Sequence, residues 1–352
     1  MQEQIQKYEL KNQKSFKLKD IFECGQCFRW NQEPDGSYTG IWKNNVVNVK
    51  QNKDNITFEG ICQNGKIEEE VIKYFDLYRD YEKIKEKLAQ IDENMKLSIE
   101  YGEGIRILNQ ELWETIISFI ISANNNIPRI KGIIERISKK YGKEIKFKNK
   151  SYYTFPTPEE LKDVKVEEYR KLGLGFRDIR LYETTKMILE KKVDIQELEQ
   201  NSNTQEVREK LLTLSGVGPK VADCILLFST LKRFEVFPID VWVRRVMNDL
   251  YIKESDENKV SKKKIESLAH QKFGNLAGIA QQYLFYWRRE IRMIGTGNFV
   301  RNRMDNSVQI GERNGVSSTF IRIRMKWPVP IIRERKKNGI KNNIWKSGQW
   351  KK

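Results

Sequence analysis

The feature that most constrains this chain is the stretch Leu211–Tyr251, LLTLSGVGPKVADCILLFSTLKRFEVFPIDVWVRRVMNDLY. Its pattern predicts a helix end, a glycine hairpin, a second helix, a connector and a third helix. Gly216 and Gly218 permit a tight turn with positive φ and a close backbone approach. Pro219 stands at the first position of the second helix, where its missing N–H costs nothing. The unpaired N–H groups at that helix start, with the dipole behind them, form an anion site of the kind that suits a phosphate. Lys220 falls in the first turn, the end of a helix that disfavours a cation, so the dipole is expected to favour its neutral, nucleophilic form. Twenty residues on, Asp240 closes Phe-Pro-Ile-Asp before another helical run. It can cap that helix or face the lysine as a carboxylate. A hairpin with a solvated lysine and a merely capping aspartate would carry the same residues.

The 352 residues leave room for two domains and a tail. Mean hydropathy is −0.68, and no apolar run reaches the roughly 20 residues that span a bilayer. The start, MQEQIQKYELKNQKS, has no apolar signal core, so a cytoplasmic protein is expected, nucleoid-associated in a prokaryote, with no membrane partner. The net charge of +17 fits a polyanion, but residues 291–352 hold 15 Lys and Arg against 3 Asp and Glu, leaving only +5 on residues 1–290. Cys24, Cys27, Cys62, Cys224 and the single His270 do not assemble a metal site, because no second pair closes Cys24-x-x-Cys27. These read as incidental thiols, and neither a metal nor an organic cofactor is expected.

Short β-branched or aromatic runs, GSYTGIW, VVNVKQ and NITFEGI, predict antiparallel strands separated by Lys/Asn/Asp turns. IEEEVIKYFDLYRDYEKIKEKLAQID then turns helical. LWETIISFIISA is apolar nearly all round and reads as a buried central helix. It ends at Asn124-Asn125-Asn126. Residues 139–150 read as a solvated basic connector, and NLAGIAQQYLFYWRREI as the last clear helix, with Gln281 and Phe285 on one face. The expected class is α+β: an N-terminal antiparallel sheet domain (1–104) packed on an all-α helix-hairpin-helix domain (105–294), with a basic tail (295–352). The tail shows no fold pattern. Disordered phosphate binding and an extension without a role fit it equally.

VGPKVADC followed by FPIDVWV resembles the helix-hairpin-helix DNA glycosylases, and most closely the 8-oxoguanine DNA glycosylase branch, over roughly residues 15–292. ECGQCFRW, SANNNIPRIKG, the Gly175-Phe176-Arg177 turn and AQQYLF match further motifs of that family. The cysteine cluster that its iron–sulfur sister branches carry after the catalytic helices is missing from the sequence.

The resemblance implies that Lys220 is the nucleophile and Asp240 its partner. It implies that the Gly25 carbonyl meets the oxidised base, while Cys224, Phe228, Gln281 and Phe285 line the pocket. Asn124 would fill the gap left by the extruded base, Arg129 would probe the orphaned partner, and Phe176 with Arg177 would engage the duplex. Gly216 and Gly218 would hold phosphate, and Trp242 stands where several relatives have a phosphate-contacting histidine.

The expected function is a bifunctional glycosylase and AP lyase that excises 8-oxoguanine, working as a monomer on duplex DNA containing oxidised guanine. A lyase-competent glycosylase for another damaged base, and a non-catalytic helix-hairpin-helix DNA-binding protein, are the alternatives.

Overall fold

The computed structural model describes residues 4–295 except 64, 257 and 258. Five antiparallel strands form the first layer in the order β1-β5-β4-β3-β2: β1 Gln6–Leu10, β2 Trp30–Gln32, β3 Tyr38–Trp42, β4 Asn45–Asn52 and β5 Asn55–Cys62. The three strands expected from sequence are β3, β4 and β5. Two-residue turns join them, which is why the pairs Trp42↔Asn45 and Asn52↔Asn55 close the ladders. Lys43 and Lys53 take positive φ of 49° and 53° in those turns. β1 and β2 escape sequence reading because each is short and only partly apolar.

One face of the sheet buries a dense aromatic cluster. Phe22 stacks on Trp30 at 4.1 Å and Trp42 on Tyr74 at 4.4 Å, with Phe58 and Phe75 filling the space beneath. Ile41, Val46 and Ile61 leave the other face apolar too, and there the structure corrects an expectation. Residues 139–150 are not simply a solvated connector, because most of the segment belongs to a hairpin of β6 Glu144–Phe147 and β7 Lys150–Tyr153. Ile145 and Phe147 point inward onto Ile41, Val46 and Ile61 while the intervening lysine points out. Two apolar positions among the lysines were too few to show the period of two.

The remaining chain is helical. The helix Leu112–Ser122 lies at the centre, with nine of its eleven residues buried. Truncating one of its isoleucines to alanine is expected to cost about 2–5 kcal/mol. Around it pack Ile127–Tyr141, Asp178–Leu189 and Pro219–Phe228, while the long final helix Ala277–Gly295 returns to lie against Glu93–Tyr101. Tyr101 and Tyr286 meet there at 5.6 Å. That return brings a C-terminal helix face to the turn that follows the first helix, Leu18–Glu23. Among the described residues no helix is long and apolar enough to cross a membrane. The basic tail, 295–352, falls outside the described residues save for Gly295, which closes the last helix.

Candidate active site

The glycine hairpin joins Thr204–Leu212 to Pro219–Phe228. Gly216 has φ +84°, as the turn requires, but Gly218 does not share it: it is extended, with φ −94° and ψ 179°, and caps the second helix. No atom lies within 4 Å of where a Gly218 side chain would stand. The second glycine therefore opens the helix N-terminus to an approaching group rather than enabling the turn. Thr184 donates to the Ser215 carbonyl at 2.9 Å and Ser215 donates to Glu183 at 2.6 Å, so the hairpin is tied to the helix Asp178–Leu189.

Lys220 occupies the first turn, half-buried, with Nζ 5.5 Å from the centroid of the Phe119 ring. Phe119 stacks on Phe228 at 5.6 Å and meets Phe28 edge-on at 5.7 Å, so Phe228 belongs to an aromatic floor beneath the lysine. Cys224, one turn after Lys220, is buried, and burial pushes its thiol up to about 11. The Lys220 amine is pushed above its ordinary 10.5 by Cys224 first and Asp240 next, against burial, which pulls it down. At neutral pH the cysteine is an uncharged thiol, leaving Asp240 as the charge that holds the ammonium. The shift runs opposite to the one expected from the helix dipole, with Cys224 and Asp240 together acting against burial.

Asp240 caps Val241–Met247, its Oδ1 accepting from the Val243 amide at 2.8 Å. Directly after the cap, Val241 and Trp242 are exposed, and the Arg245 guanidinium lies 5.8 Å from the Trp242 ring. Large apolar side chains held in solvent mark a surface built for contact.

Gly25, φ +92°, follows the first helix. The turn is held by Gln26, which has no exposed surface. It donates to the carbonyls of Ile21 at 2.9 Å and Arg106 at 2.7 Å and accepts from the Leu108 amide at 2.9 Å. Gln110 donates to the carbonyls of both Gln26 (2.8 Å) and Phe228 (2.9 Å), joining this turn to the end of the lysine-bearing helix. Sequence reading missed Gln110, which stands in no recognisable pattern. Phe285 reaches the same turn, its Cε1 3.6 Å from where a Gly25 methyl would sit. Gln281, one helical turn earlier, is buried, and its Oε1 has no hydrogen-bond partner among the described residues. An unpartnered amide oxygen is costly in a native interior, and at a ligand site the ligand can supply the partner.

Asn124 has φ +51° at the end of the central helix. Asn126 caps the next helix, accepting from the Arg129 amide at 3.0 Å. Arg129 is exposed and donates to the Gly173 carbonyl at 3.4 Å, and Phe176 stands 53% exposed beside it. Arg177 departs from the surface role expected for it. It is 2% exposed and donates to the carbonyls of Asn124 at 2.8 Å and Leu174 at 3.2 Å, and through Nε to that of Ala123 at 2.9 Å. It clamps the Asn124 loop from behind. Among the described residues no group of three or more His, Cys, Asp or Glu could hold a metal ion.

Two family models match in tandem: the 8-oxoguanine DNA glycosylase N-terminal domain over residues 9–116, and the HhH-GPD superfamily base excision DNA repair protein over residues 117–295. Fold and site thus define a base excision enzyme of the helix-hairpin-helix class. The N-glycosylase/DNA lyase of Saccharomyces cerevisiae is 32% identical over 316 residues, covering 78% of this chain and 84% of that protein. The probable N-glycosylase/DNA lyase of Methanothermobacter thermautotrophicus is 32% identical over 254 residues, 65% and 78% of the two chains. Among solved structures, the Clostridium acetobutylicum 8-oxoguanine glycosylase/lyase, in complex with double-stranded DNA containing cytosine opposite 8-oxoguanine, matches with a TM-score of 0.75. It shares 42% identity over 82% of this chain and 98% of that one. The chain belongs to the N-glycosylase/DNA lyase family and is a DNA glycosylase with lyase activity.

Proposed function

We propose that this protein excises 8-oxoguanine from duplex DNA and then cuts the strand, with Lys220 as the nucleophile of both steps. Lys220 first gives up its proton to water. Its Nζ then attacks C1′ of the flipped nucleotide, and the C1′–N9 bond breaks with its electron pair leaving on the base. The sugar ring then opens as the C1′–O4′ bond breaks, O4′ taking up a proton as the nitrogen sheds one, and the resulting imine acidifies the 2′ hydrogens. Loss of one of them expels the 3′ phosphate oxygen, and water returns the enzyme amine. Asp240 stabilises the positive charge that develops on the sugar. Cys224 and Phe285 take the two faces of the base, Gln281 its pairing edge, and Phe228 closes the floor.

At the Gly25 turn the carbonyl accepts the N7 hydrogen that only the oxidised base carries. On the outer surface, Asn124, Arg129 and Phe176 engage the opened duplex, and Gly216 and Gly218 with Trp242 take the backbone phosphates. A monomer in the cytoplasm suffices, because one chain supplies every one of these groups.

The observation that carries this reading is a half-buried amine beside a helix-capping carboxylate, set over an aromatic floor. Lys220→Gln is expected to bind 8-oxoguanine:cytosine duplex but to lose both base release and borohydride trapping, since no amine remains to form the imine. Base excision by this variant near the wild-type rate would remove lysine from the mechanism.

A further inference from the structure

The last helix carries three side chains spaced four apart, Gln281, Phe285 and Arg289, which share one face. The first two have a role in the reading above; Arg289 has none. Its Nη2 donates to the Glu23 carbonyl at 2.5 Å, two residues before Gly25. The guanidinium carbon lies 5.5 Å from the centroids of both Phe285 and Tyr286. Nη1 stands 3.4 Å from the position of a Gly25 methyl, and Phe285 Cε1 stands 3.6 Å from that same point. Arg289 therefore touches both the glycine turn and the ring. Gln282, two turns earlier on the same helix, donates to the Cys24 carbonyl at 2.6 Å, so two residues of the helix grip two consecutive carbonyls of the turn.

Nε and Nη1 of Arg289 are buried and have no hydrogen-bond partner among the described residues. A guanidinium kept in such a place calls for an explanation other than its own stability. Glu290 Oε1, 3.2 Å from Nη2, supplies the neighbouring negative charge.

We propose that Arg289 is a positioning residue for lesion recognition, tying the Glu23–Gly25 turn to the Phe285 face of the last helix and so setting the slot that the base enters. This rests on the reading that the Gly25 carbonyl meets the base and Phe285 stacks on it. A carbonyl tells a hydrogen-bearing N7 from a bare one only if its distance and direction are held, and glycine is the residue least able to hold itself. The planar fork of arginine can grip a carbonyl and cover a ring at once, which a lysine ammonium cannot.

The full-length Arg289→Met and Arg289→Lys proteins separate recognition from folding when assayed under single-turnover conditions on two duplexes. One carries 8-oxoguanine opposite cytosine; the other carries an abasic site, which needs Lys220 but no base pocket. Arg289→Met is expected to release 8-oxoguanine at least tenfold more slowly while cleaving the abasic strand within twofold of wild type. Arg289→Lys, which can still reach the Glu23 carbonyl, should fall between. Unchanged release of 8-oxoguanine by Arg289→Met, or an equal fall on both duplexes, overturns the proposal. A wild-type protein that leaves 8-oxoguanine untouched overturns the reading it rests on instead.

Discussion

Gly25→Ala isolates one angle of the recognition turn. A methyl at this position would meet Arg289 Nη1 at 3.4 Å and Phe285 Cε1 at 3.6 Å, ordinary contact distances, so the site has room for it. What opposes the alanine is the backbone: φ is +92°, a conformation that costs an L residue about 1–2 kcal/mol. If the turn keeps its shape the protein absorbs that strain, and for a folded unit of this size the midpoint of thermal unfolding falls by roughly 2–8 °C. If the turn relaxes toward negative φ, the strain disappears and the carbonyl swings away from N7.

The two outcomes are separable by experiment. In the second, one hydrogen bond is replaced by an unpaired N7 hydrogen at about 1–3 kcal/mol, roughly a 5- to 150-fold loss of excision. Gln26 and Gln282 hold the residues on either side by side-chain hydrogen bonds at 2.6–2.9 Å, which leaves Gly25 itself as the point that gives. The expected result is therefore slow excision with a small thermal penalty and full strand cleavage at abasic sites. Single-turnover rates on both duplexes, with a thermal melt, test it. Excision at the wild-type rate with a lowered melt would show that the turn holds its shape, whereas excision at the wild-type rate with an unchanged melt would mean that the turn has relaxed and that its carbonyl does not read the lesion.

Asp240→Asn should change stability by less than about 1 kcal/mol, because asparagine caps a helix as well as aspartate does, yet slow excision beyond tenfold. Its residual activity should also show an alkaline rise displaced to lower pH. Lys220 is raised above 10.5 partly by this carboxylate, and the reactive amine is the form that gains as pH approaches that value. An unshifted limb in a pH–rate profile would mean that Asp240 does not hold the proton. Arg177→Met should destabilise the protein by on the order of 3 kcal/mol, through its lost bonds to the Asn124 and Ala123 carbonyls, whereas Arg129→Met should lower excision with little change in denaturant midpoint. Equal stability of the two variants would return Arg177 to the surface. Truncation after Ile294 removes most of the +12 on residues 291–352, so non-specific DNA binding should weaken at low salt while single-turnover excision stays unchanged. A salt slope that does not alter would take the tail off the DNA.

Local rules carried sequence reading where a single residue type decides the outcome. Asp240 before a helical run caps that helix, Pro219 opens the helix Pro219–Phe228, and the Lys-Asn and Lys-Asp turns close β3 onto β4 and β4 onto β5. The rules failed where a distant partner decides. Arg177 reads as a surface cation, and only the fold reveals the carbonyls of Asn124 and Ala123 that draw it inside. Lys220 reads as a dipole-depressed amine until Cys224 and, from twenty residues away, Asp240 are placed beside it. Ile145 and Phe147 look like stray apolar residues in a basic run until the outer face of the sheet is there to receive them. Gln26, Gln110, Gln282 and Arg289 are polar residues spent on backbone carbonyls, and nothing in their own neighbourhoods announces those targets.

The double hydrogen bond of Gln110 bears on modularity. This residue falls inside the stretch matched by the N-terminal domain, yet it holds the Gln26 carbonyl with one contact and the Phe228 carbonyl, from the helical half, with the other. The seam between the halves thus runs through the pocket instead of beside it. Grafting the first 116 residues of a relative onto this helical half would transplant the glycine turn but reset its distance from the lysine. Changes in lesion preference in this architecture should therefore arise by paired substitutions across the seam, and half-for-half chimaeras should fold more readily than they cut.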